Sequence, residues 1–240
     1  EIIRSGSIDH CIRKAVENGI DNIDAIIMAT LNACEIYGMK HKGAIAPSYA
    51  ADIVVADDLT LNSVFQVYKD GILVCENGKA LFDTDSTDIS GVTDTVHITK
   101  VTSDFFADDI PETLTAIELI PESIITKKVT AKRTDRLSKV CVIERHKHLD
   151  TKGIAYVTNY GITNGAIAAT IGHDSHNIIV IGDNDGDMAL AVNTLGKSGG
   201  IAAVSDGKIL SFMELPIAGL MSAKSADEVI YEHDRLQKTA

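Results

Sequence analysis

The sequence predicts a mixed α+β chain, and three observations carry that expectation. Residues 7–18 and 23–37 repeat apolar side chains at helical spacing. Between 51 and 81 the apolar runs shorten to strand length, and one doubles back on Asn77-Gly78, the residue pair that favours a tight hairpin turn. From about residue 114 onward, strand-length runs alternate with helical ones.

In the first helix Ile8, Cys11, Ile12, Ala15 and Val16 share a face, and Gly19 is the cap signal. In the second, Ile23, Ile26, Ile27, Thr30, Leu31 and Cys34 share a face that ends at Gly38, and Asp21 or Asn22 supplies the N-cap. The pair reads as a helical hairpin that hides one face on something large, and nothing nearby in the sequence supplies that surface. Gly43-Ala44-Ile45-Ala46-Pro47 is a turn-rich lead-in to a small β module. Its expected parts are a buried strand at 51–56, a second at 64–67 and the hairpin at 71–79. Residues 82–112 are polar and read as a linker with one strand, 95–101. Beyond it, strands are expected at 140–144, 154–158, 177–181, 201–205 and 208–214, the last two joined by Asp206-Gly207. Helices are expected at 187–197 and 226–237, and no internal repeat is visible.

Composition narrows the function. The net charge of −12 and the lack of a Lys/Arg run argue against nucleic acid as a partner. The apolar stretches are too short to cross a bilayer, so no membrane partner is expected. Glu1 opens a charged amphipathic segment with no signal peptide, and the missing initial Met points to a piece of a longer chain. The four cysteines, Cys11, Cys34, Cys75 and Cys141, form no CxxC and no zinc spacing. They read as reduced core thiols in a cytoplasmic protein.

The densest chemistry lies at His173-Asp174-Ser175-His176-Asn177, between an Ala-rich stretch and a strand. His173, Asp174, Ser175 and His176 are the catalytic candidates, and Asn177, Glu144, Arg145 and His146 the substrate-binding candidates. The competing reading of the cluster is a polar turn whose side chains satisfy their own backbone. On a helix His173 and His176 would share a side and could share a metal, but the sequence places them in a turn, which does not favour one. Arg145 is read either as a clamp for a carboxylate, with His146 lining a cleft, or as an exposed strand end. Leu215 to Ser222, with Pro216 and Gly219, reads as a shaped loop that covers a pocket or simply packs.

Several of these blocks resemble known families. Met28-Ala29-Thr30-Leu31-Asn32-Ala33, Gly43-Ala44-Ile45-Ala46-Pro47 and Ala51-Asp52-Ile53-Val54-Val55 resemble the amidohydrolase superfamily at its last barrel helix and its return into a small β-sandwich. Ile143-Glu144-Arg145-His146, the run Gly165 to Asn177, Asp187 to Val192, and Leu215 to Ser222 are similar to the C-terminal domain of adenine deaminases. The resemblance implies the last helices of a (β/α)₈ barrel at 1–40 and a β-sandwich segment at 41–82. It implies a linker at 83–112 and a C-terminal α+β domain at 113–240. It also implies hydrolysis of adenine, or a related purine, to hypoxanthine and ammonia in a homo-oligomer with a divalent metal, manganese or iron. The superfamily's metal ligands are a His-x-His, later histidines and an Asp, all expected before Glu1, so no metal ligand and no deamination are expected of this chain alone. His146-Lys147-His148 is a His-x-His in the wrong domain, and Gly6-Ser7 stands where the family usually has Gly-His.

Two alternatives stand beside it. Gly182-Asp183-Asn184-Asp185-Gly186-Asp187 resembles the magnesium motif of haloacid-dehalogenase-like phosphatases, and Asp83-Thr84-Asp85-Ser86-Thr87 mimics their nucleophile, so Asp83, Asp85, Asp183 and Asp187 would form that site. The other alternative is a non-catalytic cap or oligomerisation module.

Overall fold

The computed structural model describes residues 2–83 and 87–239, and the chain divides into two compact units, Glu1–Ser86 and Thr87–Ala240. It is mixed α+β, as the periodicities predict.

The first unit opens with the helices α1 (Ile2–Ser5) and α2 (Ile8–Glu17). Asp21 caps the next helix by accepting bonds from the amides of Ile23 at 2.8 Å and Asp24 at 3.4 Å. That helix runs as α3 (Asn22–Ile27), a π-helical stretch (Met28–Asn32) and α4 (Ala33–Ile36). The widening sits where the Thr30 hydroxyl donates back to Ile26 O at 2.6 Å and competes for the helical carbonyl. Gly43 crosses over the same turn. A Cβ there would lie 2.9 Å from Leu31 Cα and Thr30 O, so only glycine fits.

A four-stranded antiparallel sheet follows in the order β1 (Ile53–Ala56), β2 (Val64–Lys69), β3 (Ile72–Glu76) and β4 (Lys79–Ala80). Asn77 and Gly78 both take positive φ between β3 and β4, the geometry of the expected hairpin. One expectation fails. The strand at 51–56 is not buried, for Val54 is 54% and Val55 39% exposed. The amphipathic helices also keep Ile8 and Ile23 exposed, with only Ile12 and Ala25 buried. β1 is a four-residue edge strand beside β2, and the small first unit has too little of itself to cover it.

The second unit is built on an eight-stranded sheet. Its strands are β5 (Thr113–Leu119), β6 (Thr126–Lys132), β7 (Ser138–Ile143), β8 (Lys152–Thr158), β9 (Gly165–Ala169), β10 (Ile178–Gly182), β11 (Gly200–Ser205) and β12 (Lys208–Glu214). Their order is β12-β11-β9-β10-β7-β8-β5-β6, and every pair is antiparallel except β5–β8. Helix α5 (Asp185–Thr194) packs on this sheet through buried Met188, Ala191 and Val192, and α6 (Ala226–Thr239) closes the chain. The packing at α5 is close. A Cβ on Gly182 would meet Met188 Cγ at 2.7 Å and Ala166 Cβ at 2.9 Å.

Residues 87–112, expected as a linker, instead lie along this unit. They contribute Val96, Val101 and Phe106 to its core. No strand forms at 95–101. Its backbone is held by other groups: the amide of Val96 bonds Lys197 O at 3.1 Å, and Asn193 brackets Val101, donating to its carbonyl at 2.8 Å and accepting from its amide at 3.0 Å. The cysteines also differ from expectation. All are free, but Cys11 is exposed, Cys34 and Cys75 are half-buried, and only Cys141 is in the core.

Candidate functional site

Strand pairing brings the two candidate clusters together. Ile143 faces Ile178 across β7 and β10, so the segment leaving β7 at Glu144 runs beside the turn that enters β10 at Asn177. Arg145 occupies the junction and is 2% exposed. Its Nε donates to His176 O at 2.5 Å, Nη2 to Ala218 O at 3.0 Å, and Nη1 to Thr95 O at 3.3 Å and Thr95 Oγ1 at 3.4 Å. No carboxylate pairs with it among the described residues. Burial pulls the guanidinium below its ordinary pKa. Arg145 is therefore neither a carboxylate clamp nor an exposed strand end. It is a buried fork that ties three segments by their carbonyls.

The neighbouring candidates are also accounted for. The Glu144 carboxylate is raised in pKa by burial but more strongly lowered by bonds from the amides of His146 (2.6 Å), Leu149 (3.2 Å) and Lys147 (2.9 Å). Glu144 thus shapes the 144–149 loop. His146 Nε2 bonds Ser175 O at 2.9 Å, a second strut between the clusters. The ring of His148 packs against that of His97, 5.1 Å between centroids.

Residues 173–175 form the expected turn. His173 and Asp174 contact each other, with side chains 91% and 86% exposed. His176 has φ +51, and its amide donates to Gly172 O at 2.5 Å. Its Nδ1 and the Oδ1 of Asn177 are shielded from solvent and have no hydrogen-bond partner within the described chain. The turn therefore divides: His173 and Asp174 face outward, while His176 Nδ1 and Asn177 Oδ1 are sheltered.

The Leu215–Ser222 loop joins the same junction. Ala218 O receives Arg145, Ala218 N donates to Val92 O at 2.7 Å, and Gly219 O accepts the hydroxyl of Thr170 at 2.5 Å. Thr170, fully buried, also accepts from Gly200 N at 2.8 Å. Sequence reasoning missed Thr170, Thr95 and the role of Gly219. A signal for Thr170 was present, since a lone hydroxyl ends the run Ala166 to Ala169 and a buried hydroxyl must find partners.

The acidic motif at the other end of β10 is structural. Asp183 accepts from the amides of Asn164 at 2.5 Å and Gly165 at 2.9 Å. Asp187, 3% exposed, accepts from Gly207 N at 2.8 Å and Asn184 Nδ2 at 2.9 Å, while Asn184 caps α5. Asp185 is paired with Lys139 at 2.7 Å beside a cavity of about 290 Å³. These carboxylates are committed to backbone and ion pairs, so the phosphatase reading is not favoured. Asp83 lies in the first unit and Asp85 outside the described residues. Among the described residues no three His, Cys, Asp or Glu side chains stand close enough to hold a metal ion. No described helix is long and apolar enough to cross a membrane.

The helical and β segment and the strand-rich domain that follows it each match a known family. Residues 3–104 match the amidohydrolase family, and residues 113–240 match the adenine deaminase C-terminal domain. The chain belongs to the adenine deaminase C-terminal domain family. It is 45% identical over 245 residues to an adenine deaminase of Clostridium acetobutylicum, covering 95% of this chain and 43% of that protein. It is 40% identical to one from Nitratidesulfovibrio vulgaris (95% of this chain, 42% of that protein) and 37% identical to one from Petrotoga mobilis (99% and 44%). The chain thus spans less than half the length of the curated relatives it matches.

Proposed function

We propose that this chain is the C-terminal portion of an adenine deaminase. The intact protein adds water across carbon six of adenine and releases ammonia, leaving hypoxanthine. The observation that carries the reading is end-to-end identity to proteins named adenine deaminase, 45% over 95% of the chain. On this reading the α1–α4 segment is the end of a (β/α)₈ barrel, and β1–β4 belong to a β-sandwich. The exposed apolar faces of Ile8, Ile23 and Val54 support this, since they are surfaces that more chain would cover.

Amidohydrolases use a divalent metal, here proposed to be manganese or iron, to supply an activated water. The described side chains of this chain do not fit such an ion. Its ligands are proposed to lie in the part of the protein before this chain. What this chain supplies is a shaped surface at one end of the eight-stranded sheet, with His176 and Asn177 offered to the purine. The protein is proposed to act in the cytoplasm as a homo-oligomer.

The test is ammonia release from adenine with manganese. The intact protein should be active and this 240-residue chain alone inactive. Activity of the chain alone would overturn the placement of the metal ligands. An inactive intact protein that folds and binds metal would overturn the function and leave the cap or oligomerisation module.

A further inference from the structure

We propose that Arg145 is a positioning residue of the deaminase, one that fixes the His176–Asn177 turn through its carbonyl and does not touch substrate. The inference rests on the function proposed above. Three observations carry it.

The first is the economy of the guanidinium. It is 2% exposed, its Nε and both terminal nitrogens donate to protein oxygens, and none of those oxygens bears a charge. A buried cation without a counter-ion is a poor way to gain stability, and an apolar side chain of similar volume would serve as well or better. What the guanidinium adds is geometry: a rigid planar fork that sets three carbonyls at fixed angles. Those carbonyls belong to Thr95, His176 and Ala218, which are far apart in sequence. Thr95 falls in the segment matched to the amidohydrolase family and the other two in the adenine deaminase C-terminal domain, so one side chain ties both matched segments within the second unit.

The second is the shape of the loop that covers it. Gly219 has φ +71, and a Cβ there would lie 2.9 Å from Arg145 Nη1. The Leu215–Ser222 loop closes over the guanidinium only because glycine stands at its closest approach.

The third is what the fork holds. His176 sits in the left-handed region at φ +51, a backbone conformation that costs an L-residue some energy and that the clamped carbonyl helps to hold. Next to the clamped carbonyl, His176 Nδ1 and Asn177 Oδ1 are sheltered and unpartnered. A buried polar atom normally has a partner. Two adjacent ones without a partner, on a backbone fixed by a buried fork, are groups held ready for something that is not part of this chain.

The experiment uses the intact protein and four variants: His176→Ala, Arg145→Lys, Gly219→Ala and the double variant His176→Ala/Arg145→Lys. Each is assayed for kcat and KM with adenine and for its urea midpoint. If Arg145 acts through the turn, Arg145→Lys and Gly219→Ala lower kcat by roughly 10- to 100-fold, the scale of a misplaced group, with KM little changed. The double variant is then no slower than His176→Ala alone. A structural role would instead give losses that multiply and that track the urea midpoint. Full activity in Arg145→Lys, multiplying losses, or an effect confined to KM overturns the proposal. If Arg145→Lys does not fold, Gly219→Ala and a fifth variant, His176→Ala/Gly219→Ala, decide by the same non-additivity. An inactive parent condemns the deaminase reading itself, whereas an active parent with unaffected Arg145 and Gly219 variants condemns only the positioning role.

Discussion

Asn193→Ala tests how residues 87–112 are held. Asn193 projects from α5 and satisfies both backbone groups of Val101, one bond at 2.8 Å and one at 3.0 Å. Val101 is 7% exposed and belongs to the core cluster, so neither its amide nor its carbonyl finds water without movement. A buried polar group left unpaired costs about 1–3 kcal/mol, which gives roughly 2–6 kcal/mol for the two. Alanine regains about 0.5 kcal/mol of helix propensity. Partial opening of the segment to water places the net loss in the lower half, about 2–4 kcal/mol, against the roughly 5–15 kcal/mol that a domain holds in total. Melting should fall by roughly 5–15 °C at 2–4 °C per kcal/mol. Urea unfolding followed by circular dichroism reads the loss, and amide exchange at Val101 locates it. A variant with the parent's midpoint and the parent's protection at Val101 would refute the bracket as a structural tie.

Two further outcomes follow from burial and charge. Burial pushes the Cys141 thiol up to about 11, so at mild alkaline pH iodoacetamide should label exposed Cys11 and leave Cys141 unmodified until the protein unfolds, as peptide mass spectrometry would show. Burial raises the Asp108 carboxyl, but the Tyr156 hydroxyl at 2.5 Å and the Lys139 ammonium at 2.9 Å outweigh it and hold the group below its ordinary value. That stabilisation is present above the unfolded carboxyl's pKa of about 3.9 and is lost as pH falls through the folded one. Asp108→Asn should therefore lose less stability than the parent on acidification below about pH 4, and parallel acid limbs in the two unfolding curves would count against it.

The sequence made the periodic elements legible and left the compositional ones hidden. The helices at 7–18 and 23–37, the Asn77-Gly78 hairpin and the β11–β12 pair on Asp206-Gly207 show because their spacing or turn chemistry is local. Strand β6, Thr-Lys-Lys-Val-Thr-Ala-Lys, stayed hidden because an edge strand keeps lysines toward water. Strand β9 stayed hidden because Gly-Ala-Ile-Ala-Ala has no β-branched signature apart from Ile167. The linker reading failed because Val96, Val101 and Phe106 are scattered singly through polar residues, and only the tertiary fold gathers them. At the candidate site the residue types were visible but their jobs were not. Arg145 beside Glu144 and His146 suggests a polar patch until three carbonyls from distant segments converge on it.

The small residues where β9, β10 and α5 meet have a consequence for motion. Gly165, Ala166, Ala168 and Gly182 carry no rotamers, so ordering them costs no side-chain entropy and heating returns none. The close approach at Gly165 and Gly182 leaves no room for a Cβ, which would lie 2.5 Å from Val204 O at the first and 2.9 Å from Ala166 Cβ at the second. The middle of the sheet is thereby fixed by backbone-to-backbone packing, whereas the loops 144–150, 172–177 and 215–222 at its rim are held by a side chain, the Arg145 fork.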